Sequence, residues 1–177
     1  MNKFSTKNIA LSGLFIALGI VLPFLTGQIP NIGRMLLPMH IPVLLCGFVC
    51  GWPFGLIVGF VTPLLRSVMF GMPPLFPTAV AMSFELAAYG LTAGLFYKYS
   101  KKNTLSTYIT LLLSMICGRI VWGIVSLVLY GLSGTAFTWQ MFAAGAFINA
   151  IPGIILQIVI IPPIIIALKR GNIIKDA

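Results

Sequence analysis

Long apolar runs separated by short polar turns are the feature that most constrains this chain. Its 177 residues contain six such runs, which cover residues 9–25, 35–50, 54–70, 78–97, 105–132 and 139–168. A transmembrane helix needs roughly 20 predominantly apolar residues. Only 7% of the residues are charged, whereas soluble domains carry about 25%. The sequence therefore predicts an all-α integral membrane bundle of six transmembrane helices, formed by a single domain over residues 1–177.

Three of these runs are irregular. The first follows two lysines, as a signal peptide would, but it is long for that role and no A-x-A-like cleavage site follows it. The second is short and contains Pro38 and Pro42. The sixth is interrupted by Pro152 and by the pair Pro162 and Pro163. We expect a retained first helix, and a sixth span that is kinked and begins tilted or partly interfacial.

Basic residues flank the runs and predict the orientation of the chain. Eight of the eleven lysines and arginines lie at the two termini or in one short loop: Lys3, Lys7, Lys98, Lys101, Lys102, Lys169, Arg170 and Lys175. Cytoplasmic segments of membrane proteins carry such an excess of positive charge. Both termini are therefore predicted to be cytoplasmic. The same placement argues against nucleic-acid binding as the reason for the net charge of +9.

Polar side chains recur at one depth within the predicted spans. These candidates for a binding site are His40, Arg66, Glu85, Arg119 and Asn149. The alternating directions of the helices place all of them in the outer half of the membrane or near its midplane. A charge at the bilayer centre costs roughly 2.5–3.5 kcal/mol on insertion scales, so this clustering predicts a water-accessible pocket that opens to the outside.

The charges in this predicted pocket favour an anionic ligand. Glu85 can pair with Arg66 or Arg119, which leaves one guanidinium to grip a carboxylate or a phosphate. Arg34 can approach from the first outer loop. Tyr89, four residues after Glu85, and Trp122, three residues after Arg119, share the faces of those residues and can line the pocket.

Structural roles remain open for several candidates. Glu85 can form a purely structural interhelical pair, Arg66 can extend to the outer headgroups, and Arg34 can be a plain loop charge. His40 can cap a helix or bond a carbonyl group, and Asn149 can join two helices.

Small residues line the first run at helical spacing. Ala10, Gly13 and Ala17 include one pair four residues apart, a spacing that lets another helix approach closely in lipid. They serve either internal packing or docking to a partner membrane protein. The chain has no Walker motif, so any ATP-driven motor must be another chain. Cys46, Cys50 and Cys117 form no metal or disulfide pattern, and neither a metal nor a cofactor is expected.

The stretch LPMHIPVLLCGFVCGWPFGLIVGFVTPLLRSVMFGMPPLFPTAVAMSFELAAYGLTAGLFY, residues 37–97, and the first run ALSGLFIALG resemble the substrate-binding S components of energy-coupling factor (ECF) vitamin transporters. Within that family the chain looks most similar to the branch associated with pantothenate uptake. The resemblance implies tight binding of a vitamin from outside, by the outer halves of helices four to six and the first loop. It also implies location in the bacterial plasma membrane, a transmembrane coupling protein and two ATPases as partners, and delivery of the vitamin by toppling of the S component.

The resemblance departs from the family pattern on the first helix. Family members often carry alanines four residues apart there as the docking surface. Here Leu14 follows Ala10 at that spacing, so the matching small pair is Gly13 and Ala17.

Two other functions compete with this hypothesis. A stand-alone carrier would use Glu85 as its proton site, although no clear inverted repeat is present. An intramembrane serine protease is suggested by GLSG at 131–134, with Ser133 as its nucleophile, but the single histidine, His40, precedes that motif rather than following it. We therefore expect a non-enzymatic binding subunit.

Overall fold

The structure is a computed structural model that describes residues 5–27 and 35–171. These residues form helices and connecting turns, without a strand in either range. The helices are α1 (Thr6–Gly27), α2 (His40–Cys50), α3 (Trp52–Phe70), α4 (Val80–Tyr99), α5 (Thr104–Leu132), α6 (Trp139–Ala146) and α7 (Ile151–Arg170). A π-helical turn, Leu75–Ala79, leads into α4, and a 3-10 turn, Ile148–Ala150, joins α6 to α7.

Five helical segments are long and apolar enough to cross a membrane: Thr6–Thr26, Trp52–Phe70, Leu75–Tyr99, Thr104–Leu132 and Trp139–Arg170. The all-helical membrane architecture expected from the sequence is therefore found in the described residues. The second predicted span corresponds to the short helix α2, which is not among these five, so the count of six remains a prediction. The single domain over residues 1–177 and the cytoplasmic termini also remain predictions.

Helix α2 begins later than the sequence predicted. The expected run started at residue 35, whereas the helix starts at His40. Leu37 has a φ of 50°, a left-handed conformation that an α-helix does not accommodate. Pro42 then lies in the first helical turn, where a missing N–H costs nothing. The remaining 11 residues rise about 16 Å, roughly half of the hydrocarbon thickness.

Helices α3 and α4 approach each other through glycine. A Cβ atom on Gly90 of α4 would overlap the carbonyl group of Gly55 on α3, and one on Gly55 would overlap the Gly90 carbonyl in return. Small residues permit such backbone contact in lipid, where packing rather than water exclusion drives helix association. This contact holds α4 rigidly against α3.

Two basic segments meet at one end of the bundle. Lys169 Nζ, at the end of α7, donates a hydrogen bond of 2.7 Å to the carbonyl of Lys102 in the α4–α5 loop. We call this the basic end. Helices α2, α4 and α7 run toward it, while α1, α3 and α5 run away from it. By the charge rule used above, this end is the one predicted to be cytoplasmic.

The sixth predicted run is broken once, between α6 and α7. Phe147 has φ −123° and ψ −66°, outside the α-helical region, and Pro152 then lies in the first turn of α7. The expected kink is thus found beside Pro152. The expected interruption at Pro162 and Pro163 is not found, because α7 continues through both prolines to Arg170.

A buried apolar cluster lies at the centre of the bundle and unites α2, α4, α5 and α7. Its members include Leu44, Tyr89, Met115 and Ile161, which we call the apolar floor. A second apolar cluster joins α1 to α2, α3 and α4 through Phe15, Val43 and Val58.

Candidate functional site

Glu85 is the hub of a buried polar cluster. Its carboxylate is 2% exposed, and its Oε1 atom accepts a hydrogen bond of 2.8 Å from Arg119 Nη1. His40 Nε2 lies 3.5 Å from the same oxygen. Helices α2, α4 and α5 therefore bring one polar side chain each to a single point. Of the two partners expected for Glu85, the structure selects Arg119.

Tyr89 supports this cluster from the side of the apolar floor. Its ring centroid lies 5.3 Å from that of His40 in an edge-to-face arrangement. The ring also lies against Gly118 of α5, where a Cβ atom would come within 2.8 Å of it. Tyr89 therefore fills the space between α2 and α5, one helical turn from Glu85.

Several buried polar atoms in the cluster have no hydrogen-bond partner among the described residues. They are Arg119 Nε, Arg119 Nη2 and His40 Nδ1. Leaving a buried donor unpaired costs about 1–3 kcal/mol. The Nε and Nη2 atoms together form one edge of the guanidinium, the geometry that binds a carboxylate or a phosphate through two parallel hydrogen bonds. The cluster is therefore chemically suited to receive an anionic group.

Arg66 does not join this cluster, which corrects the expected convergence. Its Nη1 atom donates a 2.6 Å hydrogen bond to the carbonyl of Ile20 on α1. Its guanidinium lies 4.7 Å from the ring centroid of Phe24 and 5.9 Å from that of Phe70. The arginine thus joins the ends of α1 and α3, because its position on α3 faces α1 rather than α4.

The expected spare positive charge is also absent from the described residues of the cluster. One carboxylate, Glu85, balances one guanidinium, Arg119, and the sum is zero while His40 is neutral. Arg34, the other candidate for surplus charge, lies outside the described residues.

Asn149 and Trp122 lie apart from Glu85. Asn149 is exposed in the 3-10 turn between α6 and α7, because the break at Phe147 removes it from the continuous helix that the sequence predicted. Trp122 stacks on Phe142 of α6 at 6.0 Å and meets Phe137 edge-on at 5.7 Å. The tryptophan therefore holds α6 against α5.

An apolar groove of about 350 Å³ lies beside that aromatic contact. It is lined by Ile120, Gly123, Ile124 and Leu127 of α5 and by residues 137–139 and Phe142. None of the polar candidates lines it, and we do not assign it to the anion site.

Two further buried residues, outside the five polar residues that the sequence placed at one depth, have unpaired polar atoms among the described residues. Gln157 of α7 is 1% exposed and Ser126 of α5 is 0% exposed. The Nε2 atom of the glutamine and the Oγ atom of the serine lack partners among the described residues. Asn149 and Gln157 are both amides within the sixth apolar run, but only Asn149 falls at the depth that the sequence predicted for the pocket. Only the break before α7 shows which of the two amides is buried.

The small residues of α1 face outward. Ala10, Gly13 and Ala17 are exposed, and a Cβ atom on Gly13 would meet nothing within 4 Å. The face of α1 that contacts the bundle carries Phe15 and Gly19 instead. Gly19 lies against Thr62 of α3. Internal packing therefore does not explain Gly13 among the described residues.

The remaining alternatives find little support in the described geometry. Ser133 is exposed and its Oγ donates to the carbonyl of Tyr130 at 2.9 Å, whereas His40 is buried beside Glu85. Cys46 and Cys50 are buried and unbridged. Residues 5–27 and 35–171 contain no group of three or more potential metal-ligating side chains.

The whole bundle matches one protein family. The family model described as "ECF transporter, substrate-specific component" matches residues 7–165. Among curated proteins, no relative matches the chain. Members of this family are substrate-binding subunits of membrane transporters rather than enzymes, and they work with an ECF module and membrane lipid. This chain has several membrane-capable helices and matches the family model over nearly its full length. It therefore belongs to the family of substrate-specific components of ECF transporters.

Proposed function

We propose that this chain binds an anionic vitamin or related small molecule, with pantothenate favoured, in the bacterial plasma membrane. It passes the ligand to a separate ATP-driven ECF module. The observation that carries the proposal is the buried Nε–Nη2 edge of Arg119, which has no hydrogen-bond partner within residues 5–27 and 35–171.

Glu85 prepares this edge for the ligand. It holds Arg119 by Nη1, which fixes the guanidinium plane and leaves the opposite donors for a carboxylate. Hydrogen bonds to charged groups contribute about 1.5–3 kcal/mol each. Because Glu85 already balances Arg119, a bound anion adds one negative charge to the cluster.

Replacement of Arg119 tests this site. We expect Arg119→Ala to weaken pantothenate binding by at least about 30-fold, because truncating one partner of a buried charge pair costs roughly 2–5 kcal/mol. Isothermal titration calorimetry on the detergent-purified variant measures the loss, and a retained thermal transition shows that the variant is folded.

Two outcomes separate the parts of this proposal. Wild-type affinity in Arg119→Ala would remove Arg119 from the site. A wild-type protein that does not bind pantothenate would reject that ligand, and mass spectrometry of small molecules that co-purify with the chain would then identify another.

We further propose that Ala10, Gly13 and Ala17 form the docking surface for the transmembrane coupling protein, which carries two ATPases. Their exposure in α1 and the open space above Gly13 support close approach of a partner helix.

A matched pair of glycine variants tests the docking surface. Gly13→Leu is expected to retain ligand affinity and to lose co-purification with the coupling protein. Gly131→Leu is the control, because a Cβ atom there also meets nothing within 4 Å and the residue lies on α5. Normal yield of the complex from Gly13→Leu would contradict the assignment.

A proton-coupled carrier that works alone is the second candidate, favoured by the contact of His40 with the Glu85 carboxylate. Uptake by the purified chain in proteoliposomes, driven by a proton gradient without an ECF module, would establish it in place of the first.

A further inference from the structure

Four helices place a polar residue one turn beyond the apolar floor. In each helix the polar residue is four positions from a floor residue: His40 and Leu44, Glu85 and Tyr89, Arg119 and Met115, Gln157 and Ile161. Residues four apart lie on the same helical face. Each of the four polar residues is therefore stacked above a member of one buried cluster.

The helix directions put these four residues at one depth. Helices α2, α4 and α7 run toward the basic end, and their polar residues precede the floor residues. Helix α5 runs the other way, and Arg119 follows Met115. In all four helices the polar residue therefore lies farther from the basic end than its floor residue. The separation is about 6 Å, the rise of four helical residues. We call His40, Glu85, Arg119 and Gln157 the polar layer.

Gln157 is the member of the polar layer that forms no polar contact with the other three among the described residues. Three members already meet at the Glu85 carboxylate. Gln157 is 1% exposed, and its Nε2 atom is unpaired among the described residues. An amide buried in this way reduces stability unless a partner is supplied.

Two residues of the polar layer, Arg119 and Gln157, need hydrogen-bond acceptors. The unpaired atoms of Arg119 and Gln157 are N–H donors only. A ligand that satisfies both residues needs a carboxylate for the guanidinium edge and a second oxygen for the amide.

We infer that Gln157 is the second anchor of the ligand, and that its side-chain amide donates to a carbonyl or hydroxyl oxygen of a carboxylate-bearing molecule. The inference rests on the proposed function, because it takes Arg119 as the carboxylate site. It adds a rule of specificity, by which the site selects carboxylates that carry a further oxygen over simple alkyl carboxylates.

Two probes and one variant test this rule. Pantothenate carries a carboxylate with amide and hydroxyl oxygens, and hexanoate carries the carboxylate alone. We expect wild type to prefer pantothenate. Gln157→Leu is expected to weaken pantothenate binding about tenfold, the factor that corresponds to 1.4 kcal/mol, and to leave hexanoate binding unchanged. Titration calorimetry of both probes measures the preference.

A melting experiment separates binding from a structural role. Gln157→Leu removes an unpaired buried amide, so the ligand-free protein is expected to melt at the wild-type temperature or above it. The increase in melting temperature that pantothenate produces is expected to shrink. Gln140→Leu, which replaces an exposed glutamine of α6, is the control that should change neither quantity.

The outcomes distinguish this inference from the proposed function. If wild type binds neither probe, the carboxylate assignment and the inference both fall. If Arg119→Ala abolishes pantothenate binding while Gln157→Leu leaves the preference over hexanoate intact, the role of Gln157 alone is rejected. A lowered melting temperature with an unchanged preference likewise shows that Gln157 is structural.

Discussion

Arg66 and Arg119 are both buried, but they lie in two regions of the bundle and make different kinds of contact. Their exposures are nearly equal, 9% and 8%. Arg66 bonds the Ile20 carbonyl and lies over two phenylalanine rings where α1 meets α3. One nitrogen of Arg119 contacts Glu85, while its other two have no partner in the part of the chain that the structure describes.

The difference shows that burial alone does not identify a binding residue in this bundle. The contacts of Arg66 join α1 to α3, and a neutral backbone carbonyl accepts its hydrogen bond. Such contacts are typical of a residue with a structural role. The unpaired edge of Arg119 reduces the stability of the ligand-free protein, and a ligand would recover that cost.

The largest effect is expected from Glu85→Ala, which leaves the Arg119 charge buried without a counterion. Breaking a buried ion pair in this way costs about 3–5 kcal/mol. Thermal unfolding in detergent should show a large fall in melting temperature, whereas Ser83→Ala, a buried control on the same helix, should show a small one. Equal melting of Glu85→Ala and wild type would mean that the pair contributes no stability.

Arg119→Lys keeps the charge but removes the two-donor edge. We expect an affinity loss of about 2 kcal/mol, or roughly 30-fold, because lysine cannot replace arginine where two parallel hydrogen bonds are made. Titration with pantothenate measures it. A lysine variant that binds as wild type does would show that charge alone, and not the free edge, holds the ligand.

Arg66→Met should give the opposite pattern. The variant loses a charged hydrogen bond and a cation–π contact, and retains the apolar stem, so unfolding is expected to become easier by about 1–2 kcal/mol. Ligand affinity should stay within twofold of wild type. A selective loss of affinity at unchanged melting temperature would place Arg66 in the ligand site after all.

Asn149→Ala is expected to have the smallest effect. The residue is exposed in the turn before α7, and surface substitutions usually change stability by less than about 0.5 kcal/mol. Affinity and melting temperature should both match wild type. A clear affinity loss would mean that this turn rearranges when the ligand binds.

The local features of the fold were readable from sequence because each depends on neighbouring residues. Apolar length predicted the long helices, and Pro152 marked the kink in the sixth run. The start of α2 at His40 was missed because a left-handed Leu37 carries no sequence signal of its own. Pro162 and Pro163 suggested an interruption that α7 does not have. Neighbouring helices can satisfy the backbone groups that prolines leave without a hydrogen bond in a membrane.

The residue order alone is enough to identify this chain as an apolar helical membrane protein of a recognisable transporter family, with one internal carboxylate and few internal charges. Hydropathy and charge spacing act along the chain, so no tertiary information was needed. The folded bundle is needed to see that Glu85 pairs with Arg119, that Arg66 turns to α1, and that Gln157 rather than Asn149 is buried. Those outcomes depend on the rotation of each helix and on the break at Phe147, which are set by packing between segments far apart in sequence.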